Sequence, residues 1–154
     1  MNIRDRIGAA LKQAMRDKAS VRLATLRLIN AAIKDREIAA RGSDGDGAIG
    51  DSEILAILGK MVKQRQESAR AYEEAGRLDL AESERDEIAV IEEFLPRQLT
   101  GKEIDAAIEE AIKTSGARSI RDMGKVMAAL KARHAGQMDF GAVGPMVKDR
   151  LSAG

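Results

Sequence analysis

The chain has 154 residues, with 26 Lys and Arg against 25 Asp and Glu, one His and no Cys. Charge near neutrality and 44% hydrophobic residues describe a globular chain and exclude a disordered polyelectrolyte. The missing thiols exclude disulfides, cysteine nucleophiles, iron–sulfur clusters and thiolate zinc sites.

Aromatics make up only 2%, namely Tyr72, Phe94 and Phe140, and strong helix formers dominate, so the expected class is all-α. From the start, Ile3, Ile7, Leu11 and Met15 repeat at helical spacing, and the run ends near Lys18. Ser20 is placed to cap a second helix with Leu23, Leu26, Ile29 and Ile33, running to Arg41 before Gly42 stops it. Residues 1–36 hold nine cations against three Asp, which makes the outer faces of this hairpin basic. "GSDGDGAIGD", 42–51, reads as a flexible connector, after which Asp51 or Ser52 caps a third helix with Ile54, Leu58, Met61 and Val62. A fourth helix starts around Leu78 or Asp79 and carries Ile88, Ile91 and Leu95 up to Pro96. Nine acids against two Arg in residues 73–93 make it the electrostatic complement of the first two.

After "LPRQL" the texture changes, and three shorter helices are predicted. "TGKE" from Thr100 to Glu103 has the form of a capping box, followed by Ile104, Ala107, Ile108, Ala111 and Ile112 up to Gly116. "SIRD" from Ser119 repeats that form ahead of a stripe of Ile120, Met123, Val126, Met127 and Leu130, with Gly136 as the stop. Asp139 caps a last helix, in which Pro145 demands a kink or a true start near Gly144. The expected organisation is a bundle of about four helices over 1–97 and a three-helix domain over 98–154.

Three stretches invite chemical readings. His134 falls within the apolar stripe of its helix, which assigns it to the core-facing edge of a C-terminal turn rather than to catalysis or metal binding. Asp44 and Asp46 sit where an EF-hand loop begins, yet Ala48, Ile49 and Leu55 occupy positions that need an oxygen ligand, a glycine and a bidentate Glu, which argues against calcium. In residues 63–88, Glu84 or Glu87 can fold back on Arg65 or Lys63, an arrangement that favours a structural ion-pair network over a site. The remaining candidate surface lies on the helix after Ser119, where Arg121, Gly124, Lys125, Ala128 and Ala132 share the side away from the apolar stripe, with Lys131 and Arg133 at its margins. Two readings of it stay open: a surface that meets phosphates or carboxylates, and an ordinary solvated face. No catalytic residue, metal site or cofactor site is assigned.

"TLRLINAAIKDREI", "KQRQESARAYEEAGRLDLAESERDEIAVIEEFLPRQL" and "DMGKVMAALK", followed by "VKDRL", resemble the GatB/YqeY domain family, and within it the free-standing YqeY-like members, over nearly the whole chain. The resemblance implies an N-terminal helical domain and a C-terminal three-helix domain shared with the tRNA-contacting tail of the B subunit of glutamine-dependent aminoacyl-tRNA amidotransferase. Carried onto this chain, it implies tRNA-facing residues at Lys125, Lys131 and Arg133, beside Arg121 on the same flank. The expectation is therefore an accessory tRNA-associated binding protein, partnered by tRNA or a tRNA-amidating enzyme. The alternatives are carbon–nitrogen ligase activity with glutamine as amido-N-donor, alone or within a complex, and a protein–protein adaptor docking through the acidic 73–93 segment. The chain has no recognisable ATP site or glutaminase nucleophile of its own. With no apolar run of membrane-spanning length and no signal-peptide core, the expected location is the cytoplasm, without cofactor, metal or membrane.

Overall fold

A computed structural model describes residues 2–43 and 49–153. It contains seven helices, α1 (Ile3–Arg16), α2 (Ser20–Ser43), α3 (Asp51–Glu74), α4 (Leu78–Glu92), α5 (Gly101–Ser115), α6 (Met123–Arg133) and α7 (Phe140–Ala153), with a 3-10 turn at Ile120–Asp122. Among the described residues there is no strand, and the class is all-α. The helices gather into two compact units, Met1–Leu95 and Pro96–Gly154. Asp44, Asp46 and Ala48 of the EF-hand comparison lie outside the described residues, as does the 44–48 part of the 42–51 connector.

In the first unit, α1 begins where Asn2 accepts the Asp5 N–H at 2.8 Å, a cap that the apolar periodicity does not reveal. It ends at Arg16, two residues before the expected Lys18, which adopts a positive φ of 53° in the turn to α2. The core is formed by Ile7, Leu26, Ile29, Ile33, Ile54, Leu58, Ile91 and Phe94, each nearly or wholly shielded from water. Helix α2 does not stop before Gly42; it runs on to Ser43. The third helix starts at Asp51 with Gly50 as its cap, so neither Asp51 nor Ser52 plays that part.

Complementary charge decorates the margins of this core. Arg22 and Glu93 form an ion pair between α2 and the end of α4, and Arg6 donates to the Glu93 carbonyl at 3.0 Å. Arg4 grips Glu37 through two bonds of 2.7 and 3.0 Å, and Arg36 meets Glu53 at 3.2 Å. These pairs are largely exposed and set the roll of the helices more than they add stability. Arg65 on α3 donates to Glu87 on α4 at 2.9 Å and to its own Met61 carbonyl at 3.1 Å, and Arg85 pairs with Glu73. The polar 63–88 stretch thus includes the structural network that its composition suggests.

In the second unit, Ile108, Val126, Leu130, Val143 and Val147 form the buried centre. The capping box at Thr100 and Glu103 is complete, and Gly116 closes α5 at a φ of 70°. The second expected box is not made: Ser119 makes no side-chain cap bond, and the Asp122 carboxylate accepts instead from the Arg118 N–H at 2.9 Å. Residues 120–122 consequently form a 3-10 turn, and Ile120 is exposed rather than part of the stripe. Asp139 Oδ1 accepts the Gly141 N–H at 3.0 Å, and α7 begins at Phe140 with Pro145 inside it rather than at its start. Gly144 makes that tolerable, because the usual clash of a proline ring with the preceding Cβ is absent.

Proline at position 145 still leaves the Gly141 carbonyl without its helical donor. Because Pro145 is exposed, Pro145→Ala is expected to stabilise the second unit by about 1–3 kcal/mol. Denaturant unfolding followed through amide signals of α7 measures this, and an unchanged or lower midpoint contradicts it.

Candidate functional site

The most organised polar constellation of the second unit surrounds the start of α5. Arg97 donates two bonds of 2.8 Å to the Glu103 carboxylate, and the same carboxylate accepts the Thr100 N–H at 3.0 Å. The Arg97 hydrogen bond first, then the Thr100 backbone bond, hold the Glu103 carboxyl down at about 2. The reciprocal pairing raises Arg97. Gln137 Nε2 donates to the Arg97 carbonyl at 3.1 Å, Leu99 N–H donates to the Gln137 carbonyl at 2.9 Å, and Gln98 donates to the Gly136 carbonyl at 2.6 Å. His134 lies at the C-cap of α6, half-buried, with Nδ1 3.0 Å from Gln137 Oε1 and its N–H bonded to the Leu130 carbonyl at 2.8 Å. Its ring is thus part of the clasp that joins the segment before α5 to the turn after α6. These contacts between residues some 40 positions apart carry no sequence periodicity and were not legible beforehand.

The four cations expected to form a recognition surface are all exposed. Arg121 stands on the 3-10 turn, off α6. On α6 itself, Lys131 and Arg133 point about 160° apart at roughly 100° per residue. Lys125 approaches Asp122 at 3.9 Å, and Arg133 approaches Glu110 of α5 at 3.5 Å. Asp122 is held below its ordinary range, first by the Arg118 backbone bond and more weakly by Lys125, which gives Lys125 an acidic neighbour. Gly124, Ala128 and Ala132 are exposed as expected.

Sequence reasoning also passed over α1, where Arg4, Asp5, Gly8, Ala9, Lys12 and Arg16 line a shallow open depression along one helix face. Among the described residues, no group of three or more His, Asp or Glu is arranged to hold a metal ion, and no helix is long and apolar enough to cross a membrane.

Two compact helical units with polar clasps on their surfaces define a class of small all-α protein, and sequence comparison gives the family. A family model described as "Yqey-like protein" matches residues 4–151, and the chain belongs to that family. It is 39% identical over 103 residues to "Altered inheritance of mitochondria protein 41, mitochondrial" of Clavispora lusitaniae, covering 67% of this chain and 54% of the relative. A protein of the same name from Pyrenophora tritici-repentis is 31% identical over 133 residues, covering 83% of this chain and 71% of the relative. Another, from Saccharomyces cerevisiae, is 27% identical over 103 residues, covering 67% of this chain and 52% of the relative. The chain spans about half the length of several of the curated relatives it matches.

These findings overturn the expected role. The relatives are named for the inheritance of mitochondria, and none of those names concerns tRNA, amide transfer or adaptor docking. The accessory tRNA-binding role, glutamine-dependent carbon–nitrogen ligation and docking through 73–93 do not stand. The docking reading has a physical weakness too, since Glu73, Glu87 and Glu93 of the 73–93 segment are engaged with Arg85, Arg65 and Arg22. The cytoplasmic expectation is corrected as well, since these relatives are mitochondrial by name. A cysteine-free chain limits redox chemistry, not compartment.

The Glu103 shift yields a direct expectation. A carboxyl depressed in the folded state contributes stability that is present above its unfolded pKa, near 4.3, and is lost as pH falls towards about 2. Side-chain NMR titration should place Glu103 near the lower value, and Arg97→Ala should move it back towards the ordinary range. An unmoved midpoint would show that Arg97 does not hold the carboxylate.

Proposed function

We propose that this chain serves the process for which its relatives are named, the inheritance of mitochondria, and that it works in that organelle. The observation that supports this most is the 31% identity to the Pyrenophora tritici-repentis protein, whose matched region covers 83% of this chain. Because the chain spans only part of the relatives' length, the reading assigns it the share of their role that this region carries.

Within that role, the exposed Arg121, Lys125, Lys131 and Arg133 are contact residues rather than parts of one pocket. What supports this is their exposure, with Arg121 on the 3-10 turn and Lys131 and Arg133 on opposite sides of α6, so that they would touch different parts of a partner.

Expression of the full chain, fused to a mitochondrial leader, in Saccharomyces cerevisiae lacking its own relative tests both statements. Restored delivery of mitochondria to daughter cells, scored by microscopy, is expected. Combined change of the four cations to Ala should reduce the restoration while leaving the abundance of the protein unchanged. Failure of the unaltered, correctly localised chain to restore delivery would overturn the reading.

A further inference from the structure

Helix α2 carries more apolar residues than it buries. Its inner face presents Leu26, Ile29 and Ile33 to the core, each with 0 or 1% exposure. On the outer face Val21 is 63% exposed, Leu28 46% and Ile38 63%, and Ala24, Ala31 and Asp35 are exposed between them. Residues 21, 24, 28, 31, 35 and 38 alternate in steps of three and four, which is the seam of a coiled coil, with small Ala24 and Ala31 where another helix backbone would come close. At 1.5 Å per residue the seam runs for about 26 Å.

One border of this seam is basic. Arg27, Lys34 and Arg41 follow at intervals of seven residues, so they form a row beside the apolar positions. All three are exposed, and among the described residues none forms an ion pair, although Arg22 and Arg36 on the same helix do.

We propose that the outer face of α2 is a docking seam for one amphipathic helix of a partner protein, apolar along its contact line and flanked by Glu or Asp at seven-residue intervals. The row of unpaired cations selects for acid on the partner. Asp35, standing in the seam itself, calls for a Lys or Arg opposite it and thereby fixes register, as single polar seam residues do. The same charges disfavour a second copy of this chain: a parallel pair would set Asp35 against Asp35, and an antiparallel pair would set the two cation rows against each other. They also disfavour a lipid surface, which would have to take the Asp35 carboxylate into its apolar layer. The seam stands on α2 alone and is independent of any role in mitochondrial inheritance.

The test uses the full chain and a synthetic three-heptad peptide with Leu and Ala at its seam positions, one Lys in the seam and Glu on both flanks. A control peptide carries Lys in place of every flanking Glu. Fluorescence anisotropy should show the acidic peptide binding and the basic one failing to bind. Arg27→Glu, Lys34→Glu and Arg41→Glu together should weaken the acidic peptide at least about tenfold and transfer binding to the basic one. Leu28→Asp should abolish both without altering the circular dichroism. Should a variant not fold, NMR shift mapping on the unaltered chain decides the matter, because the acidic peptide must perturb Ala24, Leu28, Ala31 and Ile38. The proposal is overturned if neither peptide binds, if binding ignores the charge reversal, or if the perturbed residues lie elsewhere. It is equally overturned if Leu28 mediates self-association in sedimentation, or if vesicles of phosphatidylcholine and phosphatidylserine bind the chain where the peptide does not.

Discussion

The first unit depends on one constraint: α2 must keep Leu26, Ile29 and Ile33 out of water against α1, α3 and α4. Filling that interior with side chains of nearly zero exposure leaves little freedom to rotate the helix, because a turn of a few tens of degrees would wet one of them and open a void behind it. The marginal pairs Arg4 with Glu37, Arg22 with Glu93 and Arg36 with Glu53 agree with the same roll. The exposure of Val21, Leu28 and Ile38 then follows from helical geometry. With 3.6 residues per turn, two apolar stripes on one rod cannot both face inward.

The second unit solves a different problem, since its three helices are short and each end exposes polar backbone. Much of its specific bonding lies at those ends: Thr100 and Glu103 at the start of α5, Gly116 at its finish, Asp139 at the start of α7, and Gln98 and Gln137 across the gap between Arg97 and the turn after α6. His134 takes its place in that scheme as a neighbour of Gln137, which accounts for the one imidazole of the chain without chemistry.

Sequence and structure agree where a signal is local. Thr100, Glu103 and Gly116 announce α5 because all the groups involved lie within one turn of the helix ends. The pattern Ser119 to Asp122 has the same letters and a different outcome, since Asp122 turns to the Arg118 N–H, and a competing local bond of that kind is invisible in spacing alone. Arg65 with Glu87 was one of several pairs the composition permitted; only the fold-back at Gly76 chooses among them. The exposed positions of α2 could be read as apolar letters, but nothing in them says which of two stripes faces the core. The family was legible in long quoted stretches, whereas the role was not, because likeness to the tail of a large enzyme transmits an architecture and not a task.

Helices α3 and α4 are joined by only three residues, with Gly76 at a φ of 74° making the reversal, and they pack along each other with Arg65 and Glu87 meeting across the join. Closing so short a loop costs little chain entropy, and the three residues between α1 and α2 make an equally short closure, whereas the packing of α2 on α4 spans most of the unit. The order of assembly is thereby biased: each helix pair closes locally over its own short loop, and the packing of α2 on α4 follows. Synthesis from the N-terminus accordingly leaves α2 without its α4 partner until Ile91 has emerged.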